Sequence, residues 1–419
     1  MSPQGPINQG VRITKTKGIW LAAIVGAVTA ALTCIEVTAS FFVPPWPARA
    51  LRSTPPPVGP TANSWGLYDV ERRVDKPQDV QLRAVFVGDS FVQGSPDQPS
   101  PAMSVEQLAA ENGLKGLEAV SLGVAGTDPR SYYYRTRDVA LALSPDAVLV
   151  FFFSGNDFMQ PGEGYAEARI PPLVDESPGA AVLGNIMPRT NWLLINQLRM
   201  SEALRGNKPI PDENATLNSI VHGPPEQRVP RLVQHMKRHY YPDVSEERLS
   251  EILARGGNSF WRQFEKREAL QGWLVNLLVA AEINDIPINR IRTPDDAARL
   301  ITEQEIEATL SWLVALNRVA TAHRVPLHVY VIPPASVAPD FVEFWKPWPR
   351  FLSWYIFSDI RHQKLVEALR HSAVSFSDLR PDLLGVRYAY RLADAHWSTT
   401  GVQIVAKRIY ADLTDTAPH

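Results

Sequence analysis

The order of apolar segments in this 419-residue chain predicts an α/β fold: a parallel sheet covered by helices on both faces, interrupted by a helical insertion. Two observations carry that expectation. Short runs of continuous apolar residues alternate with helical patterns over 84–153, and the same rhythm returns over 303–413. Between them, residues 160–300 hold several helical patterns, many prolines and no convincing strand.

The elements follow in order. Residues 84–87 form an apolar run that reads as a first buried strand. A short helix over 104–112 ends at Gly113, and a second strand spans 117–122. Residues 128–143 read as helix. A third strand, 146–153, contains the run Val148-Leu149-Val150-Phe151-Phe152-Phe153. After the insertion, 303–323 is an amphipathic helix, and 327–332 is a strand stopped by Pro333-Pro334. A helix over 362–371 leads to a strand over 374–379. The final helix starts at Ser398 as N-cap and carries the apolar stripe Val402, Val405, Ile409 and Leu413.

The N-terminal region has a different composition. Residues 1–17 carry Arg12, Lys15 and Lys17 and no acid, and 18–43 then contain a single charge, Glu36. The uncharged part of that segment would be ~27 Å long as a helix at ~1.5 Å per residue, against a hydrocarbon core of ~30 Å. This predicts a single-pass anchor over 18–43, with residues 1–17 cytoplasmic and the rest of the chain on the far side of an inner membrane, in the periplasm. Arg49 and Arg52 weaken the charge asymmetry. A cleaved signal peptide with Val37-Thr38-Ala39 before the cut is the competing reading. Residues 44–60 hold seven prolines, and 44–80 read as an extended spacer, leaving 81–415 as the globular domain.

Composition narrows the function. A formal net charge of −2 gives no reason to expect a nucleic-acid partner. Cys34 is the only cysteine, so neither an intrachain disulfide nor a cysteine-based metal cluster can form.

The segment Val87-Gly88-Asp89-Ser90 directly follows the first strand. A serine on that turn sits at the carboxyl end of the sheet, where open α/β sheets keep their chemistry. A serine hydroxyl is a weak nucleophile and needs a base, an orienting partner for the base, and donors for the oxyanion. Of nine histidines, His396 in Asp394-Ala395-His396-Trp397 has a carboxylate two residues away that can fix its tautomer. The loop Gly123-Val124-Ala125-Gly126-Thr127 after the second strand offers close backbone N–H approach, and Asn156 after the third strand offers a side-chain amide. Each motif alone is also ordinary turn chemistry. Their shared placement at one sheet edge is what points to an active site.

Gly88-Asp89-Ser90, Gly126, Gly155-Asn156-Asp157 and Asp394/His396, in this order, resemble the four blocks of the SGNH/GDSL hydrolase superfamily. The resemblance covers about residues 82–159 and 302–413. It implies a flavodoxin-like three-layer α/β/α domain with Ser90 as nucleophile, His396 as base and Asp394 as its partner. It further implies an oxyanion hole made by the Ser90 and Gly126 N–H groups and the Asn156 amide, and chemistry that needs no metal and no organic cofactor. One departure stands out. The family's aspartate usually lies three residues before its histidine, and here the interval is two. Asp-x-His-Trp is similar to the polysaccharide O-acetyltransferase branch, which includes the alginate acetylation proteins and is exported or membrane-tethered.

The implied activity is hydrolysis of O-acyl, chiefly O-acetyl, esters of a cell-envelope or secreted glycan through an acyl-serine. O-acetyl transfer to a sugar, in concert with a membrane protein that supplies acyl groups, is the close alternative. A lipase and a catalytically silent glycan-binding protein are more distant ones. Two further features are candidate contacts for substrate or membrane: the basic, aromatic stretch 231–241, which reads first as a solvated helix face, and Trp345 with Trp348, which read equally as core or loop packing.

Overall fold

The computed structural model describes residues 15–43, 63–95, 98–166, 213–258, 272–284 and 286–415, together with 187, 189–190, 193–194 and 260–261. The chain divides into two compact units, residues 1–49 with 174–207, and residues 50–173 with 208–419. Residues 1–14, 44–62 and most of 167–212 fall outside the described set, and with them most of the segment expected to be cytoplasmic and the proline-rich run.

The first unit contains α1 (Lys15–Ser40). Its stretch Ala22–Ser40 is 19 residues long and apolar enough to cross a membrane. Thr29 and Thr33 return their hydroxyls to the helix backbone, donating to Val25 O and Thr29 O at 2.8 Å each, so neither needs an outside partner. Glu36 accepts hydrogen bonds from the N–H groups of Arg189 at 2.7 Å and Thr190 at 3.0 Å.

The second unit is built on five parallel strands: β1 (Leu82–Gly88), β2 (Leu117–Gly123), β3 (Ala147–Phe153), β4 (Leu327–Ile332) and β5 (Phe376–Asp378). Their spatial order is β2-β1-β3-β4-β5, with all neighbours parallel. This is the flavodoxin-like order, whose direction of winding reverses between β1 and β3. The central strands are buried on both faces, with Phe86, Phe151 and Tyr330 stacked across β1, β3 and β4.

The helices of the α/β frame are α2 (Pro101–Glu111), α3 (Pro129–Arg135), α8 (Glu303–Ala322), α9 (Pro349–Arg370) and α10 (Thr399–Asp415). A step from β1 to β2 in one direction, followed by steps in the other, puts the first and last helices on one face when crossovers are right-handed. The packing agrees: α2 lies against α10, while α8 packs on α3 and α9.

Helix α2 starts three residues before the expected position because Ser100 caps it, accepting from Met103 N, with Pro101 in the first turn. The helix expected over 128–143 is broken. After Arg135 the chain passes through a π turn (Thr136–Ala140) and a 3₁₀ turn (Leu141–Leu143). Helix α9 begins at Pro349, well before the expected 362, and β5 is three residues long.

The spacer expected over 44–80 is shorter than its bounds. Residues 63–80 fold onto β2, where Asp69 accepts from Ser121 N and the Arg72 guanidinium joins Asp69, Glu106 and Ala119 O. Between β3 and α8 lie α4 (Glu213–Val221), α5 (Pro225–His239), α6 (Glu246–Ala254) and α7 (Gly272–Ile283), with no strand among the described residues of 160–300. Their apolar faces join the main core. Trp345 and Trp348 are fully buried there, donating to Leu392 O and Ile252 O, so neither lines a substrate site. In the stretch 231–241, Tyr240 bonds Glu213, Tyr241 bonds Asn276 and Lys237 bonds Val244 O, which leaves Arg231 and Arg238 as exposed cations on this face.

Candidate active site

Strand β1 ends at Gly88, where an added Cβ would lie 2.5 Å from the Val92 side chain and 3.1 Å from Phe151. Glycine therefore lets the chain turn tightly against β3. Asp89 then closes the turn, its carboxylate accepting from Phe91 N at 2.9 Å, and Ser90 opens a single helical turn, Ser90–Gln93. Ser90 is only half-buried at the carboxyl edge of the sheet, on the strand where the winding reverses.

His396 reaches it from the other end of the sequence. The segment 390–398 is a narrow loop tied by Arg391 N to His396 O at 2.7 Å and by a bridge between Tyr390 and Trp397. Its Nε2 lies 2.6 Å from Ser90 Oγ, and its Nδ1 lies 2.7 Å from Asp394 Oδ1. A carboxylate only accepts, so the ring proton sits on Nδ1 and the Nε2 lone pair faces the serine hydroxyl. Phe91 packs against the imidazole at 4.9 Å.

The two-residue interval between Asp394 and His396 is reconciled by Ala395, which takes φ 56°. This left-handed residue reverses the chain locally, and Asp394 Oδ1 then receives both the backbone N–H of His396 (2.8 Å) and its ring Nδ1–H. An extended segment with both side chains on one face, which the sequence suggested, is not what forms.

The electrostatics follow from these contacts. Burial works to lower the His396 imidazolium, but Asp394 and then Asp89 outweigh it and hold the group above its usual range. Burial works to raise the Asp394 carboxyl, and its bonds to His396 together with the Arg391 charge bring it below the usual range.

Gly126 and Asn156 lie in loops at the carboxyl ends of β2 and β3, the two strands that flank β1. Gly126 is exposed with φ 71°, a conformation that favours glycine, and Ala125 N beside it donates to Gln93 Oε1. Asn156 is exposed on the turn after β3. All five residues singled out by sequence are thus gathered at one sheet edge, three of them in direct contact.

The supporting residues beneath had no role assigned from sequence. Arg135 is buried and donates to Gly88 O at 2.8 Å, Leu122 O at 2.9 Å and Thr127 Oγ1 at 3.1 Å, tying the ends of β1 and β2 to the glycine loop. Asp157 is buried and accepts from Tyr132 OH and Phe153 N at 2.7 Å each; burial, reinforced by the charge of Asp89, pushes its carboxyl well up. Arg135 reads as an ordinary helix residue, and Asp157 lies in the Gly155-Asn156-Asp157 block with no role of its own read from it.

A cavity of about 150 Å³ opens beside Ser90 and His396. Gln93, Gln98 and Arg391 give it polar walls, with Trp397 and Val402 on the apolar side. Among the described residues no group of three histidine, cysteine or acidic side chains is placed to hold a metal ion.

No protein-family profile matches the chain, and no curated protein matches it. Solved structures similar to it include a GDSL-like lipase from Bacteroides thetaiotaomicron, 10% identical, covering 80% of this chain and 89% of that one, with a TM-score of 0.29. A G-D-S-L family protein from Desulfitobacterium hafniense is 9% identical over 79% of this chain and 99% of its own, with a TM-score of 0.32. The lipase/acylhydrolase from Enterococcus faecalis is 11% identical over 80% and 96%, with a TM-score of 0.25. The strand order and the site geometry stand on the chain's own contacts.

Proposed function

We propose that this chain is a membrane-anchored serine esterase of the SGNH kind, acting on O-acyl, chiefly O-acetyl, esters of a cell-envelope or secreted glycan. The observation that carries the reading is the continuous relay Ser90 Oγ, His396 and Asp394, at 2.6 and 2.7 Å, on the sheet edge beside a cavity.

In this reading His396 Nε2 takes the Ser90 proton as Ser90 Oγ attacks the ester carbonyl. The tetrahedral oxyanion is met by the N–H groups of Ser90 and Gly126 and the Asn156 amide. The alkoxide leaves with the proton from His396, and water, deprotonated by the same imidazole, hydrolyses the acyl-Ser90. Asp394 holds the ring and stabilises the imidazolium formed in both halves. No step calls on a metal or organic cofactor.

The cavity beside Ser90 is small, about 150 Å³, which favours a short acyl group over a long acyl chain. Helix α1 supports the anchoring part of the proposal: an inner-membrane helix with the sheet domain in the periplasm. A second reading, transfer of the acetyl group to a sugar hydroxyl, shares every step up to acyl-Ser90 and is favoured by the Asp394-Ala395-His396-Trp397 sequence.

The test is to incubate the full-length protein and its Ser90→Ala variant with p-nitrophenyl acetate, with and without an acetylatable oligosaccharide. Ser90-dependent acetate release supports the esterase, and Ser90-dependent sugar acetylation supports the transferase. Equal rates in both proteins, with no labelling of Ser90 by a fluorophosphonate, would replace both with a glycan-binding role.

A further inference from the structure

A second serine–histidine–aspartate relay lies inside the protein. Ser154, the residue directly after β3, places its Oγ 2.7 Å from His362 Nδ1, and His362 Nε2 lies 2.8 Å from Asp378 Oδ1. Ser154 and His362 are both 0% exposed. No substrate reaches this serine, so the relay is not a second active site.

Its position suggests another task. Ser154 begins the turn Ser154-Gly155-Asn156, and Asn156 is the exposed residue of that turn. The turn is held at each point except Asn156. Ser154 N continues the sheet ladder to Ile332 O at 3.0 Å, and Ser154 Oγ is held by His362. Gly155 O accepts from Arg361, the neighbour of His362 on α9, and Arg361 is itself fixed by Glu305 at 2.6 Å. Gly155 lies so close over the Phe153 ring that an added Cβ would be 2.2 Å from it. Asp157 closes the far side through Phe153 N and Tyr132 OH. Helix α9 therefore grips the turn with two consecutive side chains, and β5 holds the first of these bonds from behind through Asp378.

The direction of the bonds makes the grip specific. Asp378 also accepts from Arg380 N at 2.8 Å, which fixes the carboxylate. In the neutral ring a carboxylate on Nε2 leaves Nδ1 as acceptor, and the Ser154 hydroxyl then has one orientation, toward His362. A satisfied polar chain of this kind, buried at Ser154 and His362, selects one geometry, because the alternatives leave the buried hydroxyl or ring nitrogen unpaired.

We propose that Ser154, His362 and Asp378 are positioning residues: their buried relay fixes the turn after β3 so that the Asn156 amide meets the oxyanion formed at Ser90. This rests on the esterase reading above. Oxyanion donors act through placement, and misplacement of about 1 Å can cost on the order of 100-fold in rate.

The experiment is a double-mutant cycle in the full-length protein, with p-nitrophenyl acetate as substrate and thermal melts to confirm folding. Ser154→Ala is expected to lower kcat about 10- to 100-fold with KM unchanged. In an Asn156→Ala background the same change is expected to cost less than about 2-fold, because the donor it positions is gone. Costs that multiply in the two backgrounds, or a folded Ser154→Ala variant with wild-type kcat, would overturn the proposal. If Ser154→Ala does not fold, Asp378→Ala carries the same cycle from the more exposed end of the relay. Ser90→Ala is the control. Turnover that survives it removes the esterase premise and the proposal together, whereas Ser90-dependent turnover with multiplying costs removes the proposal alone.

Discussion

The relay that ends on Ser90 and the relay that ends on Ser154 use the same three side-chain types, each at the carboxyl end of a central strand, β1 and β3. They differ in two respects. Ser90 is half-buried beside a cavity, and Ser154 is closed off on every side. The rings are also used in opposite senses: His396 turns Nε2 to its serine and Nδ1 to its aspartate, while His362 turns Nδ1 to its serine and Nε2 to its aspartate. A hydrogen-bonded Ser-His-Asp chain is thus a way to orient a hydroxyl. Access to substrate and to oxyanion donors decides whether that orientation serves chemistry or only placement.

The largest effect that can break this comparison is at Ser90. Ser90→Ala and His396→Ala should each lower kcat by as much as about 10⁶-fold, and the pair together should cost little more, since triad members act as a unit. Ser154→Ala should fall short of that by several orders of magnitude; similar losses at both serines would erase the distinction.

Next in size is Asp394→Asn, expected to lower kcat by about 10⁴-fold through loss of the Nδ1–H tautomer. Its pH profile adds a sign. A general base works when neutral, so kcat/KM should rise with pH to a plateau. Because Asp394 and Asp89 hold His396 up, the midpoint should lie above the ordinary imidazole value of 6.5. In Asp394→Asn burial still acts to lower the group while the main raising influence is gone, so the midpoint should move to lower pH. A midpoint that does not move would contradict the assigned pairing.

Asn156→Ala should cost about 10²–10³-fold in kcat with little change in KM. At Ala395 the expected effect is on stability. A left-handed non-glycine residue costs roughly 1–2 kcal/mol, so Ala395→Gly relieves strain while adding disorder to the unfolded chain, and its melting temperature should stay close to wild type. Ala395→Val places a β-branched residue at positive φ and should lower both stability and turnover. The finest test is spectroscopic. Nitrogen chemical shifts of the imidazoles should report a protonated Nδ1 at His396 and a protonated Nε2 at His362, and the same tautomer at both would collapse the contrast.

Much of the fold was readable because its signals are local. Strands β1 to β4 announce themselves as apolar runs bounded by turn residues, and β4 was placed to the residue. Ser90 and the Asp394/His396 pair are marked by their own neighbours in sequence. What escaped depends on distant partners. His362 is 208 residues from Ser154, and nothing beside either one signals the contact. Arg135 reads as an ordinary helical residue until β1 and β2 bring Gly88 O and Leu122 O to it. The first half of α9 was missed because 349–361 opens with Pro349 and is rich in aromatic residues, which reads as a loop until the insertion packs against it. Residues 63–80 lack strand or helix periodicity, and their order comes from the Asp69 and Arg72 bonds to the edge strand.

The most direct test of the account is to trap the acyl-enzyme. The full-length protein would be mixed briefly with p-nitrophenyl acetate, quenched in acid, digested and read by peptide mass spectrometry. The account predicts an acetyl group on Ser90, absent from the Ser90→Ala and His396→Ala variants, and none on Ser154. No adduct on Ser90 under conditions where the wild-type protein turns over, or an adduct on Ser154 in its place, would contradict it.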